Sequence, residues 1–489
     1  MIQEMKNGTL EKCESSSYPR KDDARGKSSE VENPQNVLII SYAFMLNFTS
    51  FNSMANLQSS INKKLGTTSL WVIYLSLVLS CAFVPSWLIK KLKTKWTLPI
   101  CMFCYSAYIA AQFYPQYYTL IPTAFLLGLG AAPMWSAKCS YLTQVGELYG
   151  NIVGEDSEVI ITRFFGIFFL FFQSSQVWGN IISSTVLSAG VENLTRSEEF
   201  LEICGADFCP AFAANLTASS SGEPETDEEK SEDRSKIYLM ASIYLCCSIA
   251  SVLIIAIFVD PLSKLNIEEK IDSNSRSGKE LLVATFLHMQ KINQILIIPL
   301  TMWSGFEQAF LGADFTAAFV SCGLGVHMVG YVMICYGVCD AVCSLCFSPL
   351  VKIIGRVPIF TFGAIVNFAM FTVMALWKPH PTDYAIFFIV ASLWGIADAI
   401  WQTQINAFYG VIFPGEAEAA FSNYRLWESA GFILAYVWSG IICVELKIYI
   451  LIGILSFAMI GYYVIEFLER KGGLVINNKK IINLSDLAS

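Results

Sequence analysis

The stretch YAIFFIVASLWGIADAIWQTQINAFY, residues 384–409, is long and apolar enough to cross a bilayer, whose hydrocarbon core takes about 20 residues of helix. Polar side chains recur on one helical face within it: Asp398, Gln402, Asn406 and Tyr409. Such a stripe cannot face lipid, which offers no hydrogen-bond partner. It therefore predicts a membrane helix packed among others, where the stripe either lines a cavity for a solute or ion or hydrogen-bonds a neighbouring helix.

Further apolar runs of similar length flank this segment on both sides. The chain is 54% hydrophobic and only 15% charged, whereas soluble domains carry roughly 25% charged residues. Predicted spans lie near 37–58, 68–90, 96–114, 119–142, 160–187, 237–259, 292–312, 326–350, 357–377, 384–409, 419–444 and 446–468. We therefore predict an all-α membrane protein with about twelve transmembrane helices.

The two halves of the chain resemble each other. QVWGNII at 176–182 in the fifth span matches VWSGII at 437–442 in the eleventh, and Trp135 in the fourth corresponds to Trp401 in the tenth. A repeat of six spans around a midplane cavity is the plan of the major facilitator superfamily. The predicted organisation is a disordered cytoplasmic tail, a six-helix bundle, a cytoplasmic linker, a second six-helix bundle and a cytoplasmic tail, at 1–36, 37–259, 260–291, 292–468 and 469–489.

Basic residues in short connections predict the orientation. Lysines crowd the connection at 90–95, Lys352 and Arg356 follow the eighth span, and the linker is also basic. All of them lie on one side if both termini are cytoplasmic. The connection at 188–236 is then outside, and we expect the plasma membrane, because no retention signal ends the chain.

The connection at 188–236 carries two kinds of exterior signal. Asn193 and Asn215 begin N-glycosylation sequons. Cys204 and Cys209 stand in the same hydrophilic stretch, where an oxidising exterior favours a disulfide between them. The alternative is two free thiols.

Ionisable residues inside spans are costly and mark either function or a buried partner. Glu307, beside Gln308 in the seventh span, is the best candidate for proton or cation coupling, because a buried carboxylate can load and release a proton. Its alternative is a structural carboxylate satisfied by amides of the first span, where Asn52 and Asn56 form a matching stripe.

The charges near the predicted cytoplasmic ends have two interpretations. Arg425 and Glu428 are three residues apart in the eleventh span, and they either bind a solute or neutralise each other as part of a gate. Arg163 holds the corresponding place in the first half. Lys138 is expected to extend its ammonium group to the interface. Lys352 and Arg356 stand where superfamily transporters keep a charged gate motif, whose aspartate is absent here, so contact with anionic lipid heads is the favoured role.

Several function classes lack their residues in this sequence. The three histidines are scattered, and no phosphate-binding loop, zinc-protease helix or nucleophile elbow is present. No basic patch suggests nucleic acid. We expect no enzyme activity, no metal and no cofactor, and a bilayer as the surrounding medium.

Longer strings resemble the UNC-93-like family, and most closely its homolog A branch. They are LIPTAFLLGLGAAPMWSAKCSYLT (120–143), FGIFFLFFQSSQVWGNIISS (165–184), GYVMICYG (330–337), LWGIADAIWQTQINAFYG (393–410) and AAFSNYRLWESAGF (419–432). The resemblance runs from about Val37 to Glu469. It implies the twelve-helix superfamily fold. It also implies kinship with an accessory subunit of a two-pore potassium channel and with an escort of Toll-like receptors.

Two functions remain open from the sequence. The first is regulation or trafficking of another membrane protein, most directly a potassium channel. The second is secondary transport of an unidentified solute or ion by alternating access. The resemblance favours the first, and the midplane polar stripes favour the second.

Overall fold

Twelve long α-helices form most of the protein in the computed structural model, which describes residues 35–61, 63–81, 84–155, 157–188, 201–210, 227–265, 286–413 and 417–470. They are α1 (Gln35–Ile61), α2 (Lys63–Cys81), α3 (Val84–Ala110), α4 (Tyr117–Val153), α5 (Ser157–Ser188), α6 (Asp227–Phe258), α7 (Ile292–Ala309), α8 (Val326–Ile354), α9 (Arg356–Leu376), α10 (Tyr384–Ile412), α11 (Ala417–Ser439) and α12 (Val444–Arg470). No strand occurs among these residues, so the predicted all-α class is confirmed.

Ten of these helices are long and apolar enough to cross a membrane by length and composition. The other two, α3 and α11, carry charges inside the helix. Four lysines lie between positions 90 and 95 of α3, and Arg425 and Glu428 lie in α11. These charged residues lower the mean hydropathy of both segments. Both helices nevertheless pack within the helix assembly, α3 against α4 and α6, and α11 against α2 and α7.

The helix packing joins early and late parts of the chain. Within the last six helices, α7 packs against α11 and α12, and α8 packs against α10. Across the two sets of six, α5 packs against α8 and α2 against α11. Two contacts between equivalent positions of the repeat therefore hold the first six helices to the last six.

The helix α7 continues beyond Ala309 without a break, but as π-helix. Its last turns, Phe310–Ser321, are π-helical and pack against α1. They place Asp314 in the interior, where its carboxylate accepts from Lys447 of α12 at 2.7 Å and from Ser439 at 2.8 Å. This pair is almost fully buried, with side-chain exposures of 0% for Lys447 and 5% for Asp314. The π-helical turns thus give α7 a buried ionic anchor to α12.

The described part of the connection between α5 and α6, residues 201–210, is fastened to the last six helices by two disulfides. Cys204 bonds Cys322, directly after the π-helical turns, and Cys209 bonds Cys443, between α11 and α12. We call these ten residues the strap. The expected Cys204–Cys209 disulfide is therefore wrong. Cys322 and Cys443 escape notice in the sequence because each stands at the edge of an apolar run.

Noncovalent contacts hold the strap in the position that makes those bonds. The backbone N–H of Val444 donates to the carbonyl of Phe208 at 3.0 Å. Gly205 has a φ of 82° and lies against Pro379, so a Cβ at this position would meet both strain and a close neighbour. Because the strap packs against these helix ends, Cys204 and Cys209 each lie beside a different cysteine of the last six helices.

The expected glycosylation sites, Asn193 and Asn215, lie outside the described residues, as do most of both tails and most of the linker. Glycosylation and membrane orientation stay predictions.

Candidate functional site

Asp398 lies at the middle of α10, about 20 Å from either end at a rise of 1.5 Å per residue. Its side chain is buried, and neutral groups satisfy both of its oxygens. The hydroxyl of Tyr336 in α8 donates to Oδ2 at 2.5 Å, and Nε2 of Gln402 donates to Oδ1 at 3.3 Å. Part of the polar stripe of α10 is thus used in contacts within and between helices.

Glu307 of α7 lies across the α7–α10 contact from Asp398. It is completely buried, and Nε1 of Trp394 in α10 donates to its Oε2 at 2.5 Å. Trp394 and Gln402, one turn before and one turn after Asp398 on α10, contact Glu307 and Ser304 of α7, so the carboxyl groups of Glu307 and Asp398 face each other across the α7–α10 contact. The other oxygen of Glu307, Oε1, has no hydrogen-bond partner among the described residues.

The amides of α1 do not donate hydrogen bonds to Glu307. The structural alternative suggested by the sequence, in which Asn52 and Asn56 satisfy this carboxylate, is therefore wrong. Nδ2 of Asn52 donates to the hydroxyl of Ser175 at 3.1 Å, and Nδ2 of Asn56 donates to Gln176 at 3.3 Å. Both acceptors belong to α5. The stripe of α1 is therefore a seam between two neighbouring helices.

Asp340 of α8 is a third buried carboxyl at this level. Nε2 of Gln173 in α5 donates to its Oδ2 at 2.6 Å, and Ser344 donates to Oδ1 at 3.2 Å. Asp340 was not among the site residues predicted from the sequence. The signal available was its position at mid-span, the same depth as Asp398.

Glycines set the distances between these helices. A Cβ on Gly395 of α10 would collide with the backbone carbonyl of Tyr336, and the close approach brings Asp398 within reach of the Tyr336 hydroxyl. A Cβ on Gly305 of α7 would collide with the backbone of Glu428 in α11. Small residues at helix crossings allow such backbone approach in membrane proteins.

Hydrogen bonds continue from Asp398 toward α11. Nε2 of Gln402 also donates to the hydroxyl of Ser304 at 3.1 Å, and this hydroxyl donates to Oε1 of Glu428 at 3.4 Å. Gln308 donates to the backbone carbonyl of Ser304 at 2.9 Å. A polar network therefore crosses from α8 through α10 and α7 to α11.

The network ends on the only described cation that pairs with it, Arg425. Nη1 of Arg425 donates to Oε2 of Glu428 at 2.7 Å, and the Tyr424 hydroxyl donates to Oε1 at 2.9 Å. Nδ2 of Asn406 donates to that hydroxyl at 3.3 Å. The Arg425 side chain is 50% exposed, and its guanidinium lies 6.0 Å from the ring of Trp135 in α4. The pair matches one of the two interpretations that the sequence left open, mutual neutralisation of Arg425 and Glu428.

The other charged residues near the predicted cytoplasmic ends lie apart from this network. Arg163 is exposed and pairs with Glu155 at 3.3 Å. Arg356, at the start of α9, pairs with Glu466 at 3.3 Å and Glu469 at 3.0 Å in α12. Lys352 lies in the last turn of α8. Arg356 thus holds two helix ends together.

Lys138 of α4 is buried, so the prediction that it extends to the interface is wrong. Its side chain is 1% exposed, and its ammonium group lies over the rings of Trp135, Phe165, Phe168 and Phe169 at 4.9, 5.0, 4.1 and 5.1 Å. Four aromatic faces stabilise the charge. A sequence cannot show this cage, because three of the rings come from another helix, α5.

The chemistry available in this region is that of carboxyl groups and neutral donors. Among the described residues, no three His, Cys, Asp or Glu side chains have an arrangement that could hold a metal ion. What the network offers instead is a set of protonatable groups at the midplane, linked by hydrogen bonds to a half-exposed guanidinium.

Comparison with known proteins gives a family match and close relatives. A family model described as "Ion channel regulatory protein UNC-93" matches residues 57–465. The chain is 44% identical to protein unc-93 homolog A of Xenopus laevis, over 89% of this chain and 94% of that protein. It is 38% identical to the "Putative potassium channel regulatory protein unc-93" of Caenorhabditis elegans, over 88% of this chain and 60% of that protein.

Solved structures show the fold. The nucleoside transporter NupG is 14% identical, with a TM-score of 0.59 over 88% of this chain and 99% of that one. FucP, a major facilitator superfamily transporter, is 13% identical, with a TM-score of 0.53 over 89% and 99%. The chain therefore has the major facilitator fold of two pseudo-symmetric six-helix bundles, as the internal repeat predicted.

Proposed function

Because this chain belongs to the UNC-93 family of ion channel regulatory proteins, we propose that it is a multi-pass membrane protein that regulates an ion channel, most directly a potassium channel. The observation that carries the proposal is the 38% identity to the nematode potassium channel regulatory protein along nearly the whole membrane body. The role is modulation of channel activity or trafficking, and it is not catalytic.

The partner would meet this protein within the bilayer. Both its helices and those of a channel are surrounded by lipid, so association depends on packing and hydrogen bonds between helix surfaces. A regulatory role needs such a contact surface and does not need a path through the protein. The strap supports this role, because two disulfides tie the connection after α5 to the last six helices, and alternating access requires one bundle to move against the other.

We propose that the protein lies in the plasma membrane with both termini in the cytoplasm. The start of α1 lies beside the end of α6, where Asn36 accepts from the backbone of Asp260 at 3.0 Å, and the start of α9 pairs with the end of α12. The lysines of α3 lie near its start, on the same side by alternation of the helices. The disulfides lie at the other side, which an oxidising exterior supports.

Secondary transport is the second candidate function. It is favoured by one observation, the midplane network that runs from Asp398 to the half-exposed Arg425. A transporter of this fold would bind its solute between the two bundles at this depth.

An electrical experiment separates the two functions. The chain is expressed with and without a two-pore potassium channel, and current is recorded while external sodium, potassium and pH are varied. Regulation predicts a change in current that requires the channel and no current from this chain alone. A current or flux from this chain alone, lost in Glu307→Gln, would instead establish transport and refute the regulatory proposal. The exposed Glu445→Gln in α12 is the control for carboxyl removal.

A further inference from the structure

Three carboxyl groups at the membrane midplane lack a cation. Glu307, Asp340 and Asp398 are 0%, 2% and 2% exposed. No described lysine, arginine or histidine forms an ion pair with any of them, and Arg425, at the end of the network, pairs with Glu428. An unpaired carboxylate in such a place is strongly unfavourable, so three buried carboxyl groups cannot all stay ionised without a compensating ligand.

Polar and titratable side chains of α8, α10 and α11 surround Glu307 and Asp398. From α8 they are Asp340 and Tyr336, and from α10 Trp394 and Gln402. From α11 they are Glu428, with its partners Arg425 and Tyr424. Every titratable neighbour except Arg425 is an acid or a phenol, so the surroundings add negative charge when they ionise.

The hydrogen bonds leave one defined vacancy in this pair of carboxyls. Three of the four oxygens accept a hydrogen bond, Glu307 Oε2 from Trp394 and the two Asp398 oxygens from Tyr336 and Gln402. The fourth oxygen, Glu307 Oε1, is buried and receives no donor among the described residues. Two carboxylates that face each other across a buried helix contact repel unless something lies between them.

We propose that Glu307 and Asp398 form a proton-binding site that holds one proton between the two carboxyl groups at neutral pH. The proton converts Glu307 Oε1 from an unpartnered acceptor into a donor toward Asp398, and it removes one of two adjacent charges. Carboxyl pairs that share a proton in this way occur where like charges are forced together. The site exists whether the protein regulates a channel or carries a solute.

A metal cation fits the same place poorly. Hard cations take about six oxygen ligands, whereas Trp394, Tyr336 and Gln402 all present hydrogen-bond donors to the pair. A cation would have to displace these donors from the oxygens that they occupy. A proton needs only the one free oxygen.

The proton also bears on the contact between the two sets of six helices. Asp340 lies one turn after Tyr336 in α8 and accepts from Gln173 of α5. Release of the shared proton would place a second negative charge beside Asp340 and Tyr336, on the helix that packs against α5. Loss of the shared proton from Glu307 and Asp398 would therefore change the electrostatics of the contact between α5 and α8.

Infrared difference spectroscopy on the purified full chain in lipid nanodiscs tests the site. At pH 7 the wild type is expected to show the carbonyl-stretch band of a protonated carboxyl that is absent from both Glu307→Gln and Asp398→Asn and retained in Glu445→Gln. Glu307→Gln is a close mimic, because its amide carbonyl accepts from Trp394 and its N–H donates to Asp398. A wild-type spectrum without any band that these two variants remove would overturn the proposal, and so would a band abolished by sodium or potassium at constant pH.

Thermal unfolding gives a second readout that does not depend on assigning a band. If the native pair holds a proton that the unfolded chain releases above the ordinary carboxyl pKa of about 4, stability falls as pH rises from that value through neutrality, because the native state binds more protons than the unfolded state. In Glu307→Gln, which lacks the shared proton, we expect the free energy of unfolding to decrease less with pH, by the contribution of one proton. Equal pH dependence in the wild type, Glu307→Gln and Asp398→Asn would refute the site.

Discussion

The side-chain amide of Gln173 in α5 donates to the carboxylate of Asp340 in α8 at 2.6 Å, so one hydrogen bond joins the first six helices to the last six at the level of the acidic network. Both residues face an interface between helices where water is scarce. A charged acceptor in such a place depends strongly on its donor, because an unsatisfied buried group keeps its desolvation cost.

Gln173→Leu removes that donor and should lower the free energy of unfolding by about 1–3 kcal/mol. Ser344→Ala, which removes the longer bond to the same carboxylate within α8, should cost less. Thermal unfolding of the detergent-purified protein compares the two. An equal or larger loss in Ser344→Ala would contradict the importance of the contact between α5 and α8.

The disulfides predict how serine variants pair in their effects. Cys204→Ser and Cys322→Ser should each destabilise the protein by about 2–4 kcal/mol, and the double variant should be no worse than either. Cys204→Ser with Cys209→Ser breaks two bonds and should be worse than both. Peptide mapping without reduction checks the connectivity directly, and a Cys204–Cys209 linked peptide would show that the strap is fastened differently.

Removal of Arg425 isolates a buried carboxylate. Arg425→Gln should cost about 1–3 kcal/mol, less than the 3–5 kcal/mol typical of a fully buried pair, because half of the arginine side chain is exposed. Glu428→Gln in the same chain should recover most of that loss. Denaturation of the two single variants and the double variant forms a cycle, and additive losses would mean that the two residues do not interact.

Lys138 should tolerate the loss of its charge. Lys138→Met fills similar space among the four rings and removes the desolvation cost of the ammonium group, which offsets the lost cation–π contacts of roughly 0.5–2 kcal/mol. We expect an unchanged or raised melting temperature. Lys138→Glu, of opposite charge against the faces of the same rings, should not fold. A large loss in Lys138→Met would indicate an anionic partner for this lysine.

Glycosylation tests the orientation that the sequence predicts. Asn193→Gln and Asn215→Gln should each remove one glycan, visible as a faster band after expression in mammalian cells. Asn7→Gln and Asn483→Gln, whose sequons lie in the predicted cytoplasmic tails, should leave the mass unchanged. Loss of a glycan from either tail variant would place the termini outside.

The sequence alone determined the features that depend on neighbours along the chain. Hydropathy over about 20 residues identified the helices, and the repeat of six spans predicted the fold, since both signals are local and periodic. The stripe of α10 and the pairing of Arg425 with Glu428 followed from helical spacing, which fixes residues three or four apart on one face.

Only the tertiary structure decided which side chains meet across helices. Glu307 takes Trp394 and Asp398 as neighbours, and the amides of α1 bind α5 instead. Lys138 is enclosed by rings of α5, and Cys204 reaches past Cys209 to Cys322. Each of these contacts depends on the rotation and separation of packed helices. Those quantities are set by close approaches such as Gly395 against Tyr336, and no spacing within one segment encodes them.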